Sequence, residues 1–474
     1  MPCYYDGMGT PWPQFEQIPL DPTVDEWRVL TARVTEFLAE ELGSLGHESV
    51  LQTAFGVTSP PADLESYLKA LFTPGFNTAH PGFMGYIPGG GLVSSALADW
   101  IIKTINRYGT AEFAAPALAQ LEFEVIQTFA RWVGYGDGFA GVLTTGGSLA
   151  NFTALVAARR AMLPENFLDG VIYCSDQTHH SIMKAANLAG FSRRNVRIIE
   201  SDEAYRIRLE SLRATIAADR ATGMTPFLIV GSAGTTNTGA VDPLAGLAEI
   251  ASVEHLWLHV DAAYGGAFLL TERGRALCSS IHEADSVTLD PHKGLFLPYG
   301  TGGVLVKDKA CLIQAHELRG DYLPDLDYER AHLDPFSLSV ELSREHRGLK
   351  VALPLILHGE AAFAAALNEK LDLARLAYEG LKASVYFEVL NVPELSTFAF
   401  RLKNTADDGA NKALMESINA AGLVYLSGTV LEGRFALRVS ILSHRTHKPE
   451  VVALLQELER LAPAHGAPKS ARVS

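Results

Sequence analysis

Ser286-Val287-Thr288-Leu289-Asp290-Pro291-His292-Lys293-Gly294-Leu295 joins a short apolar run to a turn that carries a lysine. Pro291 cannot donate to a strand ladder, so the run ends at Asp290. Lys293 then sits between His292 and Gly294, with apolar residues following. Most lysines are solvated surface charges. One placed just past a buried strand is different: burial disfavours the ammonium form and leaves the amine as a nucleophile for a carbonyl.

The same texture extends in both directions. Val142-Leu143, Val171 to Tyr173, Phe227 to Val230, Leu256 to Val260 and Val304 to Val306 are further short apolar runs. Helical patterns lie between them at Ser148 to Leu163, Ser181 to Ala189 and Leu209 to Ala221. Strands alternating with helices predict βαβ units and a mainly parallel sheet, with ligands at the strands' carboxyl ends. Beyond an Ala-rich helix, Glu360 to Leu381, strands are expected at Phe387 to Leu390, Thr397 to Leu402 and Phe435 to Ile441. Helices at Asn411 to Ala420 and Pro449 to Leu461 complete a smaller α+β domain. Amphipathic stretches at Asp25 to Leu42 and Asp63 to Leu71 precede a Gly/Pro-rich, uncharged loop from Thr73 to Gly91, whose aromatics suit packing or binding. The expected division is 1–90, a helical segment and pocket loop; 91–358, a large α/β domain; and 359–474, the small domain.

Chemistry-bearing residues collect where those strands end. Thr144-Thr145-Gly146-Gly147-Ser148 opens a helix, so its N–H groups and dipole suit an anion, although a plain N-cap turn gives the same pattern. Asp261 closes the run Leu258-His259-Val260 and is followed by small residues; a buried carboxylate there needs a partner or caps the next turn. His179, in Ser175-Asp176-Gln177-Thr178-His179-His180-Ser181, can lie flat on a planar ring or cap a helix. Gly234-Thr235-Thr236-Asn237 brings hydroxyls to the same edge. A metal site is not expected, since adjacent His179 and His180 point apart and no third ligand is suggested. An anion cradle, a stacking imidazole, a carboxylate and a nucleophilic lysine are together what pyridoxal 5′-phosphate needs.

With these residues the sequence resembles the group II pyridoxal-phosphate decarboxylases, the family of aromatic L-amino-acid and glutamate decarboxylases. The likeness runs from about Pro74 to Leu461, and Asp290-Pro291-His292-Lys293 is its most specific motif. It implies a PLP-dependent transferase of fold type I: an α/β large domain with a mainly parallel seven-stranded sheet, plus a smaller C-terminal α+β domain. It implies a homodimer in which the region Thr73 to Pro116 reaches the active site across the interface, so that His80, Tyr86, Ile87 and Pro88 bind substrate. Lys293 is then the Schiff-base lysine, Asp261 pairs with the pyridine nitrogen, His179 stacks on the ring and Ala263 lies beneath it. Gly147, Ser148, Thr236 and Asp290 or His292 surround the phosphate. Tyr322, 29 residues after Lys293, falls where the family has the tyrosine that returns a proton to Cα. Asp290 stands where many relatives carry Asn, and Gly294 where many carry Trp. The implied reaction is decarboxylation of an L-amino acid to its amine, with an aromatic substrate favoured. A small, aliphatic or acidic substrate, oxidative decarboxylation–deamination to an aldehyde, and a cofactor-binding but silent homologue are the alternatives.

Composition bounds these readings. The chain has 474 residues, 48% of them apolar and 20% charged, enough to bury a sizeable core. Its 39 basic and 54 acidic side chains give a net charge of −15, which repels phosphate backbones and argues against a nucleic-acid partner. Cys3, Cys174, Cys278 and Cys311 form no C-x-x-C pair and predict neither a disulfide framework nor a zinc site. Met1 to Leu20 lacks a basic stretch ahead of an apolar run, and runs such as Val351 to Leu357 are short for a bilayer. A soluble, cytoplasmic protein without a membrane partner is therefore expected, with a frayed tail after Ala462.

Overall fold

The computed structural model describes residues 23–52, 63–316, 334–403, 405 and 408–465. In chain order its strands are β1 (Leu51–Gln52), β2 (Gly75–Phe76), β3 (Ala140–Thr144), β4 (Gly170–Ser175), β5 (Val196–Ile199), β6 (Thr225–Ser232), β7 (Trp257–Ala262), β8 (Ser286–Leu289), β9 (Gly302–Val306), β10 (Phe387–Val389), β11 (Thr397–Leu402), β12 (Ser427–Leu431) and β13 (Arg434–Ser440). Seven of them form one sheet in the order β3-β9-β8-β7-β6-β4-β5. Only β9 runs against the others: its pairings with β3 and β8 are antiparallel, and the remaining four are parallel. The expected mainly parallel seven-stranded sheet of a fold type I enzyme is therefore present.

Both faces of this sheet are covered, which explains why its strands read as apolar runs without alternation. Leu143, Tyr173, Ile229, Leu258, Val260 and Leu305 pack into one core layer, while Val142, Ile172, Leu228, Val230 and Val304 pack into the other. Helix Gly147–Met162 lies on the second face, where Ala150, Ala154, Ala157 and Ala158 let it approach β7, β8 and β9 closely.

A second, four-stranded antiparallel sheet has the order β10-β11-β13-β12 and is backed by helices Asp408–Ala421 and Lys448–Leu461. Helix Gly348–Ala383 joins the two sheets. It is long and apolar enough to cross a membrane, but it breaks at Gly359 (φ 74°, ψ 153°). Its two parts pack on helices Val93–Ile105 and Pro116–Val133 and on Lys448–Leu461. The break explains why the sequence pattern begins at Glu360.

The loop after β2 is stitched to the small sheet. Met84 N–H donates to Tyr425 O (2.9 Å), Tyr425 N–H to Gly82 O (2.9 Å), and Ser440 N–H to Met84 O (2.9 Å). A Cβ on Gly82 would lie 2.2 Å from Leu423 O, so this close approach requires glycine there.

Candidate active site

The parallel strands end at one cavity of about 400 Å³. Nine residues singled out from the sequence line it together: Gly147, Ser148, His179, Thr236, Asp261, Ala263, Asp290, His292 and Lys293. His80, Tyr86, Ile87 and Pro88 do not line it within the same chain. His80 is buried in its own loop, where Nδ1 accepts from Gly82 N–H (2.9 Å) and Nε2 lies 3.1 Å from Glu48 O. Ile87 packs against the large core and Pro88 is buried, whereas Tyr86 is exposed at φ 54°. Tyr322 lies outside the described residues.

The anion cradle comes from β3 and the helix behind it. Gly146 (φ 156°) turns the chain into helix Gly147–Met162, whose first N–H groups have no partner within the helix. Side chains there would fill the cradle. A Cβ on Gly146 would come within 3.1 Å of His292 Cε1, and one on Gly147 within 2.8 Å of Asp290 Oδ2 and 3.1 Å of Ala263 Cβ.

Lys293 is carried by the short turn of helix Pro291–Gly294 after β8. Its Nζ lies 3.1 Å from Asp290 Oδ2, and His292 Nε2 lies 3.7 Å from the same oxygen. The imidazole is turned by a contact of Nδ1 with Thr301 O at 2.6 Å. Asp290 Oδ1 is buried without a hydrogen-bond partner among the described residues.

Asp261 ends β7 and is 8% exposed. Its Oδ1 accepts from Ala263 N–H (3.1 Å) and its Oδ2 from Asn151 Nδ2 (2.8 Å). His179 rests its Nδ1 on the Ser181 hydroxyl (2.8 Å). Burial pushes the His179 pKa down, against the pull of the Asp261 charge, so the ring is held neutral.

Sequence reasoning assigned no role to Asn151, Ser181, His259, Ser286 or Thr288, which form a buried network behind these groups. A signal for them was present. His259 and Asp261 are two apart on β7, Ser286 and Thr288 two apart on β8, and the register pairs His259 with Ser286 and Asp261 with Thr288. Polar residues alternating inside otherwise apolar runs mark one face of a strand.

A carbonyl-seeking amine, a carboxylate and a neutral imidazole thus face one cavity whose rim is a glycine-built anion cradle. These residues fit pyridoxal phosphate: Gly146 to Ser148 suit its phosphate, Lys293 its aldehyde, Asp261 its ring nitrogen and His179 its ring face. Residues 60–403 match the pyridoxal-dependent decarboxylase conserved domain. The chain belongs to this family. It is an amino-acid decarboxylase that uses pyridoxal 5′-phosphate. Among its relatives, an aromatic-L-amino-acid decarboxylase of Bacillus atrophaeus is 34% identical over 85% of this chain and 86% of that one. A phenylacetaldehyde synthase of Arabidopsis thaliana is 29% identical over 82% and 84%. Among solved structures, Catharanthus roseus tryptophan decarboxylase in complex with L-tryptophan superposes with a TM-score of 0.85 at 26% identity, covering 95% of this chain and 100% of that one.

Proposed function

We propose that this decarboxylase acts on an aromatic L-amino acid, releasing CO₂ and the corresponding amine. The observation that carries the substrate class is the 34% identity, over most of both chains, to the aromatic-L-amino-acid decarboxylase. When bound, pyridoxal phosphate supplies an electron sink for the pair left at Cα as the carboxylate departs.

The chain's own residues do the rest. The Gly146–Ser148 amides and the helix N-terminus bind the phosphate. The amine of Lys293 anchors the cofactor and is oriented by Asp290 Oδ2 at 3.1 Å. Asp261, an acceptor at both oxygens, keeps a proton on the ring nitrogen. His179 holds one face of the ring and leaves the opposite face to substrate. Tyr322 is assigned the return of a proton to Cα on its sequence register alone.

The site is read as shared between two copies of the chain. Tyr86 and Tyr299 are exposed, Tyr299 at the cavity itself, and Leu97, Trp100, Ile101 and Ile105 leave an apolar face on helix Val93–Ile105 uncovered. On this reading His80, Ile87 and Pro88 shape the loop, while Tyr86 of one copy reaches the cavity of the other.

Product mass spectrometry after incubating the cofactor-loaded protein with pooled L-amino acids tests the reaction and substrate together. A single aromatic amine is expected. An aliphatic or acidic amine would replace the substrate class, and an aldehyde with peroxide would replace the proton return assigned to Tyr322.

A further inference from the structure

Asn151 is 1% exposed and makes four hydrogen bonds, the full complement of a side-chain amide. Their directions follow from the ends of the network. At one end, the Trp257 indole can only donate, so Ser286 Oγ accepts from it (2.8 Å). The Ser286 hydroxyl then gives its hydrogen to His259 Nδ1 (2.8 Å), which leaves the hydrogen of a neutral imidazole on Nε2. His259 Nε2–H donates to Asn151 Oδ1 (3.0 Å), and so does the Thr288 hydroxyl (2.8 Å). Both Asn151 N–H groups therefore point away. One donates to Asp261 Oδ2 (2.8 Å) and the other to Ser181 Oγ (2.9 Å). The Ser181 hydroxyl passes its own hydrogen to His179 Nδ1 (2.8 Å), which the Ser181 backbone N–H also approaches at 3.3 Å. His179 is left with its ring hydrogen on Nε2.

We propose that Asn151 is the positioning residue of the active site, holding Asp261 as an oriented carboxylate and His179 in its Nε2–H tautomer at the same time. One amide thereby sets the charge at the ring nitrogen and the hydrogen carried by the ring that stacks on it. The proposal rests on the reading of this cavity as the pyridoxal-phosphate site. The ionisable groups around Asp261 and His179 are His259 from β7, His180, Lys293 and Asp290. None of them donates to Asp261 as Asn151 does.

Asn151→Leu tests the proposal because it nearly keeps the size and removes both donors without adding a charge beside Asp261. A residue that merely filled space would tolerate the change. In the cofactor-loaded protein the pH midpoint of the visible cofactor band is expected to rise by about one unit or more, since a weaker Asp261 leaves the ring nitrogen less charged. Cofactor release is expected to accelerate by roughly tenfold or more. An unchanged midpoint and release rate would overturn the proposal. Ser181→Ala provides an independent reading that does not depend on the first variant folding. The midpoint should hold, while the ring ¹⁵N shifts of His179 in histidine-labelled holoenzyme should move toward mixed tautomers, because the remaining Ser181 N–H contact with Nδ1 (3.3 Å) is too long to fix the tautomer alone; unchanged shifts would overturn it. Lys293→Ala separates the two levels: a visible band surviving there overturns the cofactor site and the proposal with it. A band lost there, with Asn151→Leu indistinguishable from wild type, overturns the proposal alone.

Discussion

Among the described residues, Lys293 has one charged partner at hydrogen-bonding distance, Asp290 at 3.1 Å, and no other lysine lines the cavity. Replacing it with alanine should remove the visible band of the loaded protein and lower decarboxylation by on the order of 10³-fold or more, as expected when a nucleophile is lost. Absorbance and product assays read both, and a retained band would move the anchor elsewhere. Gly147→Ala makes a finer prediction. Its Cβ would meet Asp290 Oδ2 at 2.8 Å and Ala263 Cβ at 3.1 Å, and overpacking of this kind costs about 1–3 kcal/mol. Cofactor affinity, measured by equilibrium dialysis, should weaken by roughly tenfold or more; wild-type affinity would mean that the cradle can relax. Lys293, Asp261 and His179 were legible because each closes an apolar run or lies within a few residues of the end of one. Asn151 and Ser181 were not, because a small polar residue near a helix start looks the same whether it caps that helix or holds a carboxylate 110 positions away.

The elements brought together what single residues could not show. The polar positions of β7 and β8 face one another only because those strands are parallel neighbours in a fixed register. A slip of one residue would turn the whole set to the opposite face. The antiparallel strand β9 closes the cradle from behind: a Cβ on Gly302 would lie 2.5 Å from Gly146 Cα and 2.6 Å from Asp290 Oδ1. Gly302→Ala should therefore leave a folded protein with markedly weaker cofactor binding, read as a tenfold or larger rise in the dissociation constant. Normal binding would show that β9 yields instead of the cradle. Besides the two-residue strands β1 and β2, two strands escaped the sequence reading for physical reasons. β5 lies at the sheet edge, and its run Val196-Arg197-Ile198-Ile199 is broken by an arginine held by Asp219 (2.6 Å). β12 is also an edge strand and contains Gly428, which reads as a turn.

For the whole molecule, acid should be destabilising. Burial lowers the pKa of His259, His346 and His444, the last to about 4. Such imidazoles take up their protons at lower pH than in the unfolded chain, where the value is about 6.5. Their contribution to stability is full above that pH and is lost as the pH falls toward the folded values, roughly 3 kcal/mol for His444. Asp242, pushed up to about 6 by burial, acts in the opposite sense over the same range. Burial also lowers His80, His179 and His316 and raises Asp285 and Glu394, so that six imidazoles stand against three carboxyls; the urea midpoint should drop between pH 7 and pH 5, and an equal or higher midpoint would show that these rings are protonated when folded. On the proposed reading of a site shared by two copies, the apolar face of helix Val93–Ile105 is the contact between them. Trp100→Asp with Ile101→Asp should shift the protein to a monomer in sedimentation and reduce activity, and an unchanged sedimentation coefficient would leave that face outside the interface. The two-sheet architecture was legible from the alternation of runs and from the family resemblance. The attachment of Gly82–Met84 to β13 and Tyr425 was not, because nothing in a glycine-rich loop names a partner more than 300 positions downstream.

That attachment also sets a timetable for synthesis. Gly82 leaves the ribosome roughly 340 residues before Tyr425 does. At about 5–20 residues per second the segment waits on the order of 20 to 70 s for the carbonyls and amides it will bond. During that interval Phe83 and Met84, both buried in the finished protein, have no native cover from the small sheet. The nascent chain is therefore open to proteases and to mispairing at Phe83 and Met84 until the segment from Tyr425 to Ser440 has been made.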